Sequence, residues 1–187
     1  MGNEAKNVSV GKPLATGAIF AAPAKTALPT DAITALAATY KCLGYISEDG
    51  VKNSISTDSQ PVKAWGGDAV LTTQTSREET FVFKMIEANE VSLKQAYGED
   101  NVTVDGATGA MVIKHNSREK KVYVYVIEVI LSDEKVKRVI IPNGKVIELG
   151  DVTYKDDEPI GYEVTVSAAP DSQGNTAYEY IATAVEE

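Results

Sequence analysis

Cysteine and histidine are almost absent: Cys42 and His115 are the only ones among 187 residues. A single cysteine makes no intrachain disulfide, so a small secreted fold held by bridges is excluded. One cysteine and one histidine do not make a Cys/His zinc site either. Cys42 reads as a small packing residue, and His115, in Lys114-His115-Asn116, as a residue at a strand end. Long hydrophobic runs are also missing, and nothing approaches the ~18 apolar residues of a membrane span. Leu14 to Ala24 (LATGAIFAAPA) has the apolar character and Ala-x-Ala-like end of a signal peptide. Gly17 breaks that short run, however, and Glu4 lies among the lysines upstream, so cleavage is not expected. Lys6 stands where a myristoylation motif starting at Gly2 needs Ser or Thr.

Cations are the scarcer charge. There are 18 Lys and Arg against 27 Asp and Glu, a net charge of -9 and a pI near 4.7. That balance argues against a nucleic-acid grip, which needs clustered Lys and Arg, but not against a surface that nucleic acid slides past. No phosphate loop, dinucleotide fingerprint or Gly-x-Ser-x-Gly elbow is present. The acidic groups Glu78-Glu79 and Asp156-Asp157-Glu158 fall at expected turns, where carboxylates are usually solvated rather than paired for glycoside hydrolysis. No residue stands out as catalytic, cofactor-binding or metal-ligating, which leaves a structural or interaction protein rather than an enzyme.

What is present is enough for one folded domain: 43% hydrophobic and 24% charged residues match a soluble globular chain. The organising stretch is 69–98. Val70–Ser76 and Glu79–Glu87 are rich in β-branched and aromatic residues, as strands are, and Ser76-Arg77-Glu78 is short enough to be a hairpin link. Phe81, Phe83 and Met85 share one face of the second strand. Asn89 then caps a short helix with Leu93, Ala96 and Tyr97 on one side and Gly98 at its end. A helix that short is marginal alone in water, so it must dock on a sheet.

Around this unit the chain reads as antiparallel β. Residues 1–14 are a polar arm; 15–40 are extended segments and turns, with a possible helical turn at Asp31–Ala37. Tyr40–Ser47 is a strand candidate ended by Glu48-Asp49-Gly50. Residues 48–66 are polar, alternate weakly and read as a long loop, a feature uncommon in compact domains and usually functional. Short strands surround Gly106 and Gly109. Lys121–Leu131 is apolar on both faces and so lies between layers or against another subunit. Lys135–Ile141 runs back, Pro142-Asn143-Gly144 turns and Lys145–Leu149 follows. Ile160 to Val166 alternate cleanly, Asp171–Asn175 turns, and Tyr178–Ala184 is the last strand.

Four motifs in order carry a resemblance: LeuGlyTyrIleSerGluAspGlyVal at 43–51, AlaTrpGlyGlyAsp at 64–68, GluGluThrPheValPhe at 78–83, and IleGluAlaAsnGluValSerLeuLysGlnAlaTyrGly at 86–98. With ProThrAspAla at 29–32, over roughly residues 25–165, the chain resembles the major tail proteins (tail tube proteins) of long-tailed bacteriophages. The resemblance implies a mainly β fold: an antiparallel β-sandwich or half-barrel with one short flanking α-helix, a long loop and an N-terminal arm. It implies a single tube domain over 1–187 without a following immunoglobulin-like domain. It also implies self-association into hexameric rings stacked as a hollow tube that conducts DNA at ejection. The implied partners are other copies of the chain, a tape measure protein, a tail terminator and distal tail or baseplate proteins. A secretion-system tube subunit and a monomeric cell-surface β-domain are the alternatives.

Residue expectations follow from that reading. Segment 48–66 is expected to reach the next ring through Glu48, Asp49, Gly50, Asp58 and Pro61, with Trp65 anchoring its base. Phe81, Phe83, Val124 and Tyr125 are expected on strands of an inner barrel shared by the ring. Asp68, Glu78, Glu79, Glu87, Glu128 and Asp133 are the candidate acids facing a lumen.

Overall fold

The computed structural model describes residues 2–132 and 135–183; Asp133, one of the candidate acids, lies outside them. The strands are β1 (Lys12–Pro13), β2 (Ile19–Pro23), β3 (Lys41–Cys42), β4 (Ile46–Lys63) and β5 (Ala69–Met85). The α-helix α1 (Glu90–Tyr97) follows, then β6 (Val102–Val104), β7 (Met111–Ile113), β8 (Val122–Ile130), β9 (Lys135–Leu149), β10 (Tyr162–Ala169) and β11 (Tyr178–Thr183). Nine strands form one antiparallel sheet in the order β3-β2-β8-β9-β10-β5-β4, with β1 beside β8 and β11 beside β9; β6 and β7 form a separate hairpin. The sheet is not closed: β3 and β4 end it on opposite sides.

The expected helix forms for the expected reasons. The Asn89 side chain accepts from Ser92 N at 2.8 Å and the Ser92 hydroxyl accepts from Asn89 N at 3.1 Å, a reciprocal cap. Gly98 ends the helix at φ 99°, a conformation glycine adopts without a Cβ clash. Leu93 and Ala96 are buried in the same core cluster as Phe81, Phe83, Tyr125 and Val164. The apolar run mistakable for a leader is a core strand: Ile19, Ala21 and Ala22 of β2 are all buried.

β8 is covered on both faces within the chain itself. Tyr125 and Ile127 join the cluster under α1, while Val124 and Val126 join Ala22, Tyr40 and Ile140 on the other face, with Leu28 and Leu36 packed over them. The loop 24–40 thus acts as the second layer that this strand's two-sided apolarity requires.

Several sequence expectations are corrected. Ser76-Arg77-Glu78 is not a turn, because each residue pairs across to Asp58, Thr57 and Ser56 on β4 and β5 runs unbroken. Segment 48–66 is not a structureless loop: nearly all of it is β4, and its true turn is 64–68, where Gly66 and Gly67 take φ of 118° and 99°. Weak alternation misled the reading because neither face of that strand is buried, so nothing selects a period of two. Glu48-Asp49-Gly50 forms a bulge rather than a strand end, since residues 47–50 together stand opposite Lys84. Pro142-Asn143-Gly144 lies inside β9, at the gap where that strand's neighbour changes from β11 to β10. Proline's missing N–H therefore leaves no ladder bond unmade. Asp31–Ala37 holds no helical turn; the Asp31 carboxylate accepts from Ile33 N and Thr34 N instead.

Candidate self-assembly surface

β5 pairs with β10 only over Thr80–Met85, whereas its pairing with β4 continues to Lys63↔Ala69. Past Thr80 the hairpin leaves the sheet as a two-stranded arm, and every residue from Lys52 to Glu78 is exposed. One face carries Ser54, Ser56, Asp58 and Gln60, the other Ile55, Thr57, Ser59 and Pro61, in keeping with strand alternation. An isolated two-stranded ribbon is marginal in water, and both its long edges offer unpaired backbone groups to a partner. Trp65, expected to anchor the base of the segment, stands instead at the tip, fully exposed, with Val62, Val70 and Leu71 exposed nearby.

The arm is fastened at its root by one carboxylate. Glu79 is only 6% exposed and accepts from Asn53 Nδ2 at 3.0 Å, from Arg77 Nη2 at 3.1 Å and from the Thr176 hydroxyl. Arg77 Nη1 also donates to Thr176 Oγ1 at 3.0 Å, so β4, β5 and the turn before β11 meet at this point. Burial alone pushes the Glu79 carboxyl up; the bonds from Thr176, Asn53 and Arg77, with the Arg77 charge, outweigh it and hold the pKa below the ordinary glutamate value. A folded pKa below the unfolded one gives a contribution complete above the ordinary carboxylate range and lost as pH falls through the folded value. Glu79→Gln is therefore expected to weaken the root by about 1–3 kcal/mol at pH 7. Amide exchange at residues 53–57 should accelerate, and wild type should approach the variant in acid. Equal exchange at pH 7 would show that the root is held by the backbone ladder alone.

The remaining expected residues are scattered by the fold. Asp58 lies along the arm and accepts from the Ser76 hydroxyl at 2.8 Å, while Pro61 lies toward the tip. Asp68 and Glu78 are exposed on the arm. Glu87 is half-buried, its carboxylate accepting from Tyr45 N at 2.8 Å and Asn89 Nδ2 at 3.1 Å. Phe81, Phe83, Val124 and Tyr125 stand on strands of the main sheet with their side chains inside the subunit. Two candidate lumen acids are corrected, because neither presents a free carboxylate to solvent. Glu79 is consumed at the arm root, and Glu128 is buried and paired with Arg138, whose Nε donates to it at 2.8 Å.

The structure also gathers residues the sequence left apart. Glu48, Asp49, Gly50, Glu87 and Glu128 line a groove of about 770 Å³ whose other wall is the segment 11–18. That wall, with Arg138, Asn53 and Thr176, was not legible as functional, since each matters only through long-range contacts. Among the described residues no cluster of three or more His, Cys, Asp or Glu is placed to hold a metal ion.

An open sheet with free edges and a projecting arm defines an assembly subunit. The chain belongs to the phage tail tube protein family, whose model matches residues 1–187. Membership makes it a structural component of the virion tail, one that assembles with itself and other tail proteins, and not an enzyme. A solved structure, the anti-feeding prophage cap (the tube-terminating cap), is similar at 13% identity and a TM-score of 0.39, over 98% of this chain and 100% of that one. A comparison with curated proteins matches none. Among the described residues no helix is long and apolar enough to cross a membrane.

Proposed function

We propose that this chain is the repeating subunit of the tail tube of a long-tailed phage, a siphophage. Copies close into hexameric rings, and rings stack into a hollow tube that conducts genomic DNA during ejection. The observation that carries this reading is the arm formed by β4 and β5, exposed along its length from Lys52 to Glu78 and held there by the pairing of its own two strands. Ring closure gives the free sheet edges at β3 and β4 a partner. The strands β5, with Phe81 and Phe83, and β8, with Val124 and Tyr125, contribute together with β9 to the shared inner barrel. The arm, with Asp58, Pro61 and Trp65, reaches the next ring, and Glu48, Asp49 and Gly50 take part in the same inter-ring contact from beside its root. Among the described residues, Asp68, Glu78 and Glu87 are the candidate acids left to face the lumen, where like charge keeps DNA from adhering. A tape measure protein inside the tube, a tail terminator at one end and distal tail or baseplate proteins at the other are the further partners, joined in the host cytoplasm. Negative-stain electron microscopy of the purified chain should show hollow tubes with sixfold end views. A chain that stays monomeric at all concentrations and salts, or tubes of another symmetry, would overturn the corresponding part.

A further inference from the structure

The tip of the arm and the groove at its root lie at opposite ends of one hairpin. Monomeric surfaces rarely leave a Trp and three aliphatic side chains uncovered together, and such patches mark contact sites. At the tip these are Trp65, Val62, Val70 and Leu71, and Trp is among the residues most enriched at the energetic centre of an interface. At the root, Pro13, Leu14, Ile46, Val51, Ile127 and Val129 give the groove its apolar wall. Pairing from Val51↔Phe83 to Lys63↔Ala69, shifted in register after Asp58 and after Val62, holds tip and root apart, by about 40 Å at ~3.3 Å per residue. The tip therefore does not reach the groove of its own chain.

We propose that the arm tip of one copy, led by Trp65, seats in this groove of the next copy. The inference rests on the tube reading and names the receptor for the arm. A second copy is the fitting occupant for two reasons. Plug and socket on different surfaces of one chain form a heterologous contact that repeats indefinitely, here with a step close to the arm length. Charge favours it as well: Lys63 at the tip meets a groove lined by Glu48, Asp49 and Glu87, and Lys12 on the opposite wall is the cation within that groove available to Asp68.

Trp65→Ala removes the plug and Ala15→Arg fills the socket; both positions are exposed, so both variants keep the fold. Each alone should need at least about tenfold more protein than wild type to elongate. Mixed, they should associate once and stop, because the intact tip of Ala15→Arg enters the intact groove of Trp65→Ala. Mass photometry should then show assemblies of doubled mass that neither variant forms alone. Trp65→Ala tubes at wild-type concentration, or a mixture showing only the masses of its components, would overturn the socket while leaving the tube reading intact. Absence of tubes from wild type itself would overturn the tube reading, and the socket with it.

Discussion

Arg138→Ala is expected to cost the subunit about 3–5 kcal/mol, the usual loss when one partner of a buried ion pair is removed. Arg138 is 3% exposed and Glu128 6%. The guanidinium donates to the Glu128 carboxylate through Nε and Nη2, while Nη1 donates to the Asp31 carbonyl at 2.9 Å. Removing it leaves a carboxylate buried without compensation and frees the loop 24–40 that covers Val124, Val126 and Ile140. Against a total stability of order 5–15 kcal/mol, such a loss is a large fraction, and the yield of folded protein should fall with it. Glu128→Leu with Arg138→Met, which removes both charges and keeps the volume, should recover most of the stability, because isosteric apolar replacement of a buried pair is often neutral or better. Urea denaturation of the two variants beside wild type is the measurement. A loss under ~1 kcal/mol for Arg138→Ala would mean that water reaches Glu128 and that the pair is dispensable.

Excising the arm should abolish tubes while leaving the subunit folded. Thr57 and Arg77 are cross-strand partners, so residues 58–76 can be replaced by Asn-Gly, the pair preferred in two-residue hairpin turns. None of the removed residues is buried, and Glu79 with its partners Asn53, Arg77 and Thr176 stays in place. The thermal transition should move by no more than a few degrees, the scale of a change near 1 kcal/mol. Electron microscopy should show isolated rings or subunits where wild type gives long tubes. Long tubes from the shortened chain would make the arm a passive ornament. A collapse of the thermal transition would instead mean that the arm supports the sheet.

Both variants depend on features that the sequence shows very unequally. The helix and the clean strands were legible because their signals are local. Asn89 and Ser92 cap each other across three residues, Gly98 ends the helix, and Tyr162, Val164 and Val166 alternate because one face of β10 is buried. Net charge, the single cysteine and the absence of catalytic motifs already favoured a structural protein, and the four motifs across 43–98 pointed to the family. The arm was not legible, because hydrophobic alternation records burial and an exposed ribbon has none to record. Serine, threonine and glutamine over 52–63 therefore read as loop, and Ser76-Arg77-Glu78 as a turn. The fate of the acids was decided equally far from their own sequence. Glu128 meets Arg138 only because β8 and β9 pair in one register, and Glu79 meets Thr176 only because β11 returns beside β9 near the arm root. Local spacing determined the helix and the strands with one buried face; long-range pairing alone decided which exposed segments become strands, which charges are buried, which edges stay open and where the arm begins.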